Sequence, residues 1–110
     1  MIMNESEFNT RVDDIVTRLQ DAIDASGADI DYETAGGILT LGFANGSKII
    51  INRQTPVRQI WVAAKSGGYH FDFDAVRNAW LMDSDGSELF AALSRYCSEQ
   101  AGEDIVLETS

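Results

Sequence analysis

Five carboxylates fall within thirteen residues of this 110-residue chain: Asp21, Asp24, Asp29, Asp31 and Glu33. Asp14 and Glu7 continue the series toward the N-terminus at seven-residue spacing from Asp21, with Asp13 beside them. A hard cation takes oxygen ligands, so this is the one constellation in the chain with obvious metal chemistry. The site it would build is shallow and open, with water completing the coordination shell, and its binding is weak and poorly selective. An EF-hand is excluded: counting from Asp29, the sixth position is Thr34 rather than Gly and the twelfth is Thr40 rather than Glu. On the residues alone the plainer reading, a solvated helix face beside a charged edge strand, is the favoured one, since charge runs are usually solvated.

Other reactive residue types are sparse. His70 is the sole histidine and Cys97 the sole cysteine, so neither a typical zinc site nor a disulfide framework can be assembled. His70 reads as a surface histidine able to assist a metal or a partner contact. Cys97 falls on an apolar stripe and reads as core rather than nucleophile. There is no Ser-His-Asp or Cys-His set and no phosphate-binding glycine fingerprint. An enzyme is therefore the weaker class.

The elements that must position these groups follow from periodicity. Phe8, Val12, Ile15, Val16, Leu19, Ala22 and Ile23 recur at helical spacing and predict a helix over residues 6–25, capped by Asn4 or Ser6 and ended by Gly27. Asp29, Asp31 and Glu33 alternate with Ile30 and Tyr32, the period of a strand, which sets three carboxylates on one side about 7 Å apart. Acids form strands poorly, so this predicts an edge strand. Further strands are predicted over 38–43, 47–53, 59–63, 69–73 and 79–83. Asn45-Gly46 signals a hairpin of the I′ type, and Pro56 marks a break. Asp85, three residues before Glu88, has capping-box spacing for a second helix reaching Ala101 and stopped by Gly102. The apolar tail Ile105-Val106-Leu107 is expected to pack beside the helices.

This order predicts an α+β two-layer sandwich in one domain, residues 1–110, with both helices on one face of an antiparallel sheet. Alternation turns Leu39, Leu41, Phe43, Ile49, Ile51, Ile60, Val62, Tyr69, Phe71 and Phe73 toward the helices. It turns Thr40, Lys48, Ile50, Asn52, Gln59, Trp61, His70 and Asp72 away from them. Trp61 is the odd member, a large aromatic on the side no helix covers. Exposed aromatics among polar residues are typical of binding surfaces.

The net charge of −10 is unevenly spread. Residues 1–33 carry nine acids and two bases, residues 34–71 four bases and no acid, and residues 72–110 nine acids and two bases. This excludes nucleic acid as a partner, because phosphate binding needs a basic surface. It suits cations or basic protein surfaces, and it also suits plain solubility. No apolar run approaches the ~20 residues that span a bilayer. The start MIMNESEF has neither a basic nor an apolar targeting region, so a cytoplasmic protein without membrane partners is expected.

Three stretches then carry a resemblance: Asp29-Ile30-Asp31-x-Glu33 with Gly36-Gly37, NGSKIIINRQ-x-P over 45–56, and QIWVAAKSGGYHFD over 59–72. In that order and length the chain closely resembles bacterial frataxin, the CyaY family, over essentially all of its length. The resemblance implies two roughly parallel helices over an antiparallel sheet and an iron-binding role in iron–sulfur cluster assembly. It implies Fe(II) or Fe(III) held weakly on an acidic ridge of Asp21, Asp24, Asp29, Asp31 and Glu33. Glu7, Asp14, Glu5 and Asp13 would be peripheral, and other divalent cations would be accepted. It implies that the ridge also docks on a basic patch of the cysteine desulfurase, and that a second surface of Asn52, Gln54, Gln59, Trp61 and His70 meets the complex of the desulfurase with its scaffold protein. The activity expected is an iron-responsive regulator acting as a monomer. Iron donation to the scaffold is the runner-up, and oligomeric iron storage with ferroxidase activity is a third reading. Gln20, Ala22, Ala25 and Ser26 surround Asp21 and Asp24 where the family often has further acids, so this ridge is comparatively poor in carboxylates.

Overall fold

The computed structural model describes residues 3–108, so the ends of the expected 1–110 domain lie outside the described residues. Helix α1 spans Glu5–Ser26. Its start is a reciprocal cap: the Glu7 N–H donates to the Asn4 side chain at 2.8 Å, and the Asn4 N–H points to the Glu7 carboxylate at 3.4 Å. Gly27, left-handed at φ 70°, ends it. Phe8, Val12, Leu19, Ala22 and Ile23 are the buried stripe that the spacing predicts.

Six strands follow in sequence order as an antiparallel meander: β1 Ile30–Ala35, β2 Ile38–Phe43, β3 Lys48–Gln54, β4 Gln59–Ala64, β5 Gly67–Asp74 and β6 Ala79–Met82. Helix α2 covers Leu89–Ala101. Every strand expected from alternation is present within a residue or two of its expected ends. Leu39, Leu41, Ile49, Ile51, Ile60, Val62 and Phe71 are at most 3% exposed and form the floor on which both helices lie. From α1, Phe8 meets Trp80 edge-to-face at 5.9 Å, and from α2, Tyr96 stacks on Tyr69 at 4.5 Å. The fold is the expected two-layer sandwich.

Three local expectations are corrected. The Asn45-Gly46 hairpin is not of the I′ type: that turn needs positive φ at Asn45, and only Gly46, at φ 86°, has it. Gly46 N–H donates to Phe43 O and Phe43 N–H to Ser47 O, which closes a three-residue loop with glycine at the bulge. Asp85 does not cap α2. Its carboxylate accepts from Ser87 N–H at 2.8 Å, while Glu88 is the cap, accepting from Phe90 and Ala91 N–H. The reason is that Glu88 still bridges Leu81 in extended form, which delays the helix and covers part of the β6 edge. Asp29 precedes β1 rather than lying in it.

The tail packs as expected, with Ile105 and Leu107 buried and Val106 exposed. Its backbone is held by the helix itself: Ile105 N–H donates to the Ser98 hydroxyl and Leu107 N–H to the Ser94 hydroxyl, both at 2.8 Å. These serines, one turn apart on α2, act as the partner strand that an isolated extended segment lacks.

Candidate metal and partner-binding surfaces

The carboxylates group by element. Asp21 and Asp24 are exposed in the last turns of α1. Asp31 and Glu33 stand opposite Gly42 and Thr40 in the sheet register, so they point to the face away from the helices. Ile30 and Tyr32, opposite Phe43 and Leu41, point to the helix side. The sheet edge therefore runs between the two carboxylate pairs. Asp29 sits exposed in the connection from α1 to β1. Among the described residues, no three Asp, Glu, His or Cys side chains converge as a ligand set for one ion.

The joint between helix end and strand is a residue that alternation counted only as an apolar spacer. The Tyr32 hydroxyl donates to both oxygens of Asp24, at 2.9 and 3.1 Å. That bond to Asp24, followed by desolvation and the charges of Asp24 and Asp21, holds the phenol above its ordinary pKa.

Toward the N-terminus the acids are engaged by partners. Asp14 pairs with Arg18 at 3.0 Å, and Asp13 with Arg53 at 2.7 Å. Glu7 is part of the helix cap, seventeen positions before Asp24, which is about 25 Å along the axis. Exposed pairs of this kind are worth less than about 1 kcal/mol, so a cation competes with them rather than being excluded. Arg53 itself reaches from the inner side of β3 and also donates to Asn9. These partners are forty and forty-four positions away in the chain and carried no signal in the spacing.

The open face of the sheet brings the five predicted contact residues side by side. Asn52, Trp61 and His70 are neighbours across β3, β4 and β5. Gln54, Gln59 and Asp72 form the next rung. Trp61 is 36% exposed and stacks on His70 with ring centres 4.4 Å apart and planes at 15°. Its indole N–H donates to the Gln59 side chain at 2.8 Å, and the Gln59 amide donates to Asp72 at 3.1 Å. His70 Nδ1 lies 3.8 Å from Asp83. The aromatic pair is thus held by neighbours on its own face and rises from a flat polar field. Asp31 and Glu33 lie on that same face three strands away, about 14 Å across the sheet and displaced along β1 from the indole's rung, which ends at Ala35.

Comparison with known proteins agrees over nearly the whole chain. Residues 1–103 match the frataxin-like domain. The Pseudomonas aeruginosa protein named iron-sulfur cluster assembly protein CyaY is 50% identical over 103 residues, 94% of this chain and 95% of that one. The protein of the same name from Vibrio cholerae is also 50% identical, over 94% of this chain and 97% of its own. Among solved structures, frataxin from Psychromonas ingrahamii superposes with a TM-score of 0.88 at 38% identity, covering 96% of this chain and 99% of that one. Trimeric frataxin from the yeast Saccharomyces cerevisiae, complexed with ferrous iron, superposes with a TM-score of 0.66 at 25% identity, covering 94% and 90%. The chain, with its two helices on a six-stranded antiparallel meander, belongs to the frataxin-like family.

Proposed function

We propose that this protein is an iron-responsive regulator of iron–sulfur cluster assembly. It binds Fe(II) or Fe(III) weakly at Asp21, Asp24, Asp29, Asp31 and Glu33. It docks on the cysteine desulfurase and its scaffold through this edge together with Asn52, Gln54, Gln59, Trp61 and His70. The observation that supports the reading best is that Asp31 and Glu33 share the sheet face with Trp61. One flat partner surface can then touch carboxylates and indole at once. The exposed oxygen ligands suit a hard cation that keeps most of its water, which makes iron a transient cargo here.

The test is docking and cluster synthesis with purified desulfurase and scaffold under anaerobic conditions. Asp31→Asn with Glu33→Gln removes two rim charges, each worth on the order of 0.5–1 kcal/mol, so docking should weaken about tenfold at low salt. The difference should shrink as salt rises. Unchanged docking sinks the shared-face reading. A regulator alters the initial rate of cluster formation at fixed free iron. A donor instead lets the iron-loaded chain replace free iron, and that outcome would favour the runner-up reading.

A further inference from the structure

At the sheet edge opposite β1, a groove of about 560 Å³ opens between the first turns of α1 and the β5–β6 hairpin. The apolar side chains in its lining are Met3, Phe73, Leu81 and Met82, with Val76 projecting at the hairpin tip. Val76 at the hairpin tip is 96% exposed, the barest large apolar side chain among the described residues. The rim is acidic, with Glu7, Asp72, Asp74 and Asp83. Arg11 is the one cation on it, and its guanidinium is already committed, lying 4.3 Å above the Phe73 ring.

We infer that this groove is a second docking site, for a protein segment in which apolar side chains are flanked by lysine or arginine. The volume is in the range of pockets that enclose a ligand-sized group, enough for one or two aliphatic side chains. Apolar burial supplies the anchoring, as at the centre of most interfaces. Four carboxylates share the lining with the apolar groups, and Asp72 is the cross-strand partner of Leu81. An occupant that carries cations beside its apolar anchor, as a short peptide segment does, meets both. The same charges repel an anionic membrane surface and a second copy of this strongly acidic chain. The inference goes beyond the function proposed above: the groove uses the β6 edge and the start of α1, and only its acids Asp72 and Asp83 border Gln59 and His70 of the sheet face.

The experiment is an NMR titration of the 15N-labelled full chain with the capped peptide Lys-Leu-Leu-Lys. The controls are Glu-Leu-Leu-Glu and Lys-Ser-Ser-Lys. Saturable shifts are expected at the amides of Phe73, Val76, Leu81 and Met82. Binding should be at least about fivefold weaker for either control peptide, since each lacks one of the two recognition elements. Two variants guard against a folding artefact: Leu81→Ser alters the apolar lining, and Asp72→Asn with Asp83→Asn alters exposed acids, the acceptor of the Gln59 amide among them. Both should weaken the lysine–leucine peptide about fivefold while the spectrum keeps its dispersion. Equal binding of Lys-Ser-Ser-Lys would overturn the proposal, because any cation would then do. So would shifts centred on Asp24 and β1, or concentration-dependent changes at the groove without peptide, which would mean self-association.

Discussion

Replacing Gln100 with Leu should cost this protein about a quarter of the stability a domain of its size commonly has. Gln100 is the single buried polar side chain among the described residues, 7% exposed near the end of α2. Its carbonyl accepts from Lys65 N–H at 2.8 Å. Its amide donates to the Ser47 hydroxyl at 3.1 Å and to Lys48 O at 3.2 Å. One side chain therefore ties the helix to the β2–β3 and β4–β5 turns. Leucine nearly conserves volume, so the cavity contribution is small and the hydrogen bonds dominate. Three bonds are lost, and the Lys65 N–H and the Lys48 carbonyl then face an aliphatic group. An unsatisfied buried group costs about 1–3 kcal/mol. Lys65 lies in an exposed turn, where water relieves part of that, so the total should be about 2–3 kcal/mol. For a chain of this length, that lowers Tm by about 8–12 °C. Urea denaturation followed by tryptophan fluorescence measures it directly. The m value should stay constant, since the buried surface does not change. A loss under about 0.5 kcal/mol would refute the reasoning, because it would mean water already competes for these groups in the native state.

Trp61→Arg should cost no more than about 1–1.5 kcal/mol, the worth of an aromatic stack with its one exposed hydrogen bond, while weakening docking on the desulfurase–scaffold pair at least tenfold; a loss above about 3 kcal/mol in denaturation would show that the indole is core. Tyr32 should titrate above an ordinary phenol in tyrosine-selective NMR, and Asp24→Asn should bring it down, because the bond to Asp24 is the leading cause of the rise. With the folded pKa raised, this contact contributes fully below the unfolded phenol pKa of about 10 and is lost as pH climbs through the folded value. Denaturation midpoints of wild type and Tyr32→Phe should therefore converge at strongly alkaline pH. Ser94→Ala with Ser98→Ala should speed amide exchange at Ile105 and Leu107 and destabilise by about 1–2 kcal/mol, one net hydrogen bond each; unchanged protection would show that burial alone seats the tail.

What the sequence revealed follows from which forces are local. One buried face imposes period two on β2 to β5, so Leu39, Ile51 and Val62 could be told from Thr40, Asn52 and Trp61 without coordinates. The acids were harder. Alternation showed that Asp31 and Glu33 share a side, with Ile30 and Tyr32 on the other. Grouping them with Asp21 and Asp24 rested on nearness in the chain, and the sheet edge runs between the two pairs. The Asn45-Gly46 dipeptide is equally favourable in a three-residue loop with a glycine bulge, and the choice is made by pairing of Gly42 with Lys48, a feature of the sheet. Asp85 had cap spacing, but the Leu81–Glu88 bridge, a tertiary contact, keeps the chain extended past it. Gln100 could not be read at all, since its partners lie 35 to 53 residues away.

The division of the acids between two faces gives the proposed regulation a sign. If Asp31 and Glu33 meet a basic partner surface, a cation bound there neutralises the charge that attracts the partner. Linkage is reciprocal, so docking must weaken that cation by the same factor. One divalent ion offsets two carboxylates, which makes the coupling comparable to the double neutral variant, about tenfold. Asp21 and Asp24 belong to the helix layer, beyond the sheet edge from Asp31 and Glu33, so an ion held there offsets less of the charge that faces a partner on the sheet and should change docking less. A regulator that iron releases from the complex therefore needs occupancy at Asp31 and Glu33. A donor that carries iron into the complex needs it at Asp21 and Asp24. Titrating iron(II) anaerobically into Asp31→Asn/Glu33→Gln and into Asp21→Asn/Asp24→Asn, each with the desulfurase immobilised, separates the two. Iron-induced release should survive only in the second variant; release from both would mean that the ion acts through total charge and that the two faces do not matter.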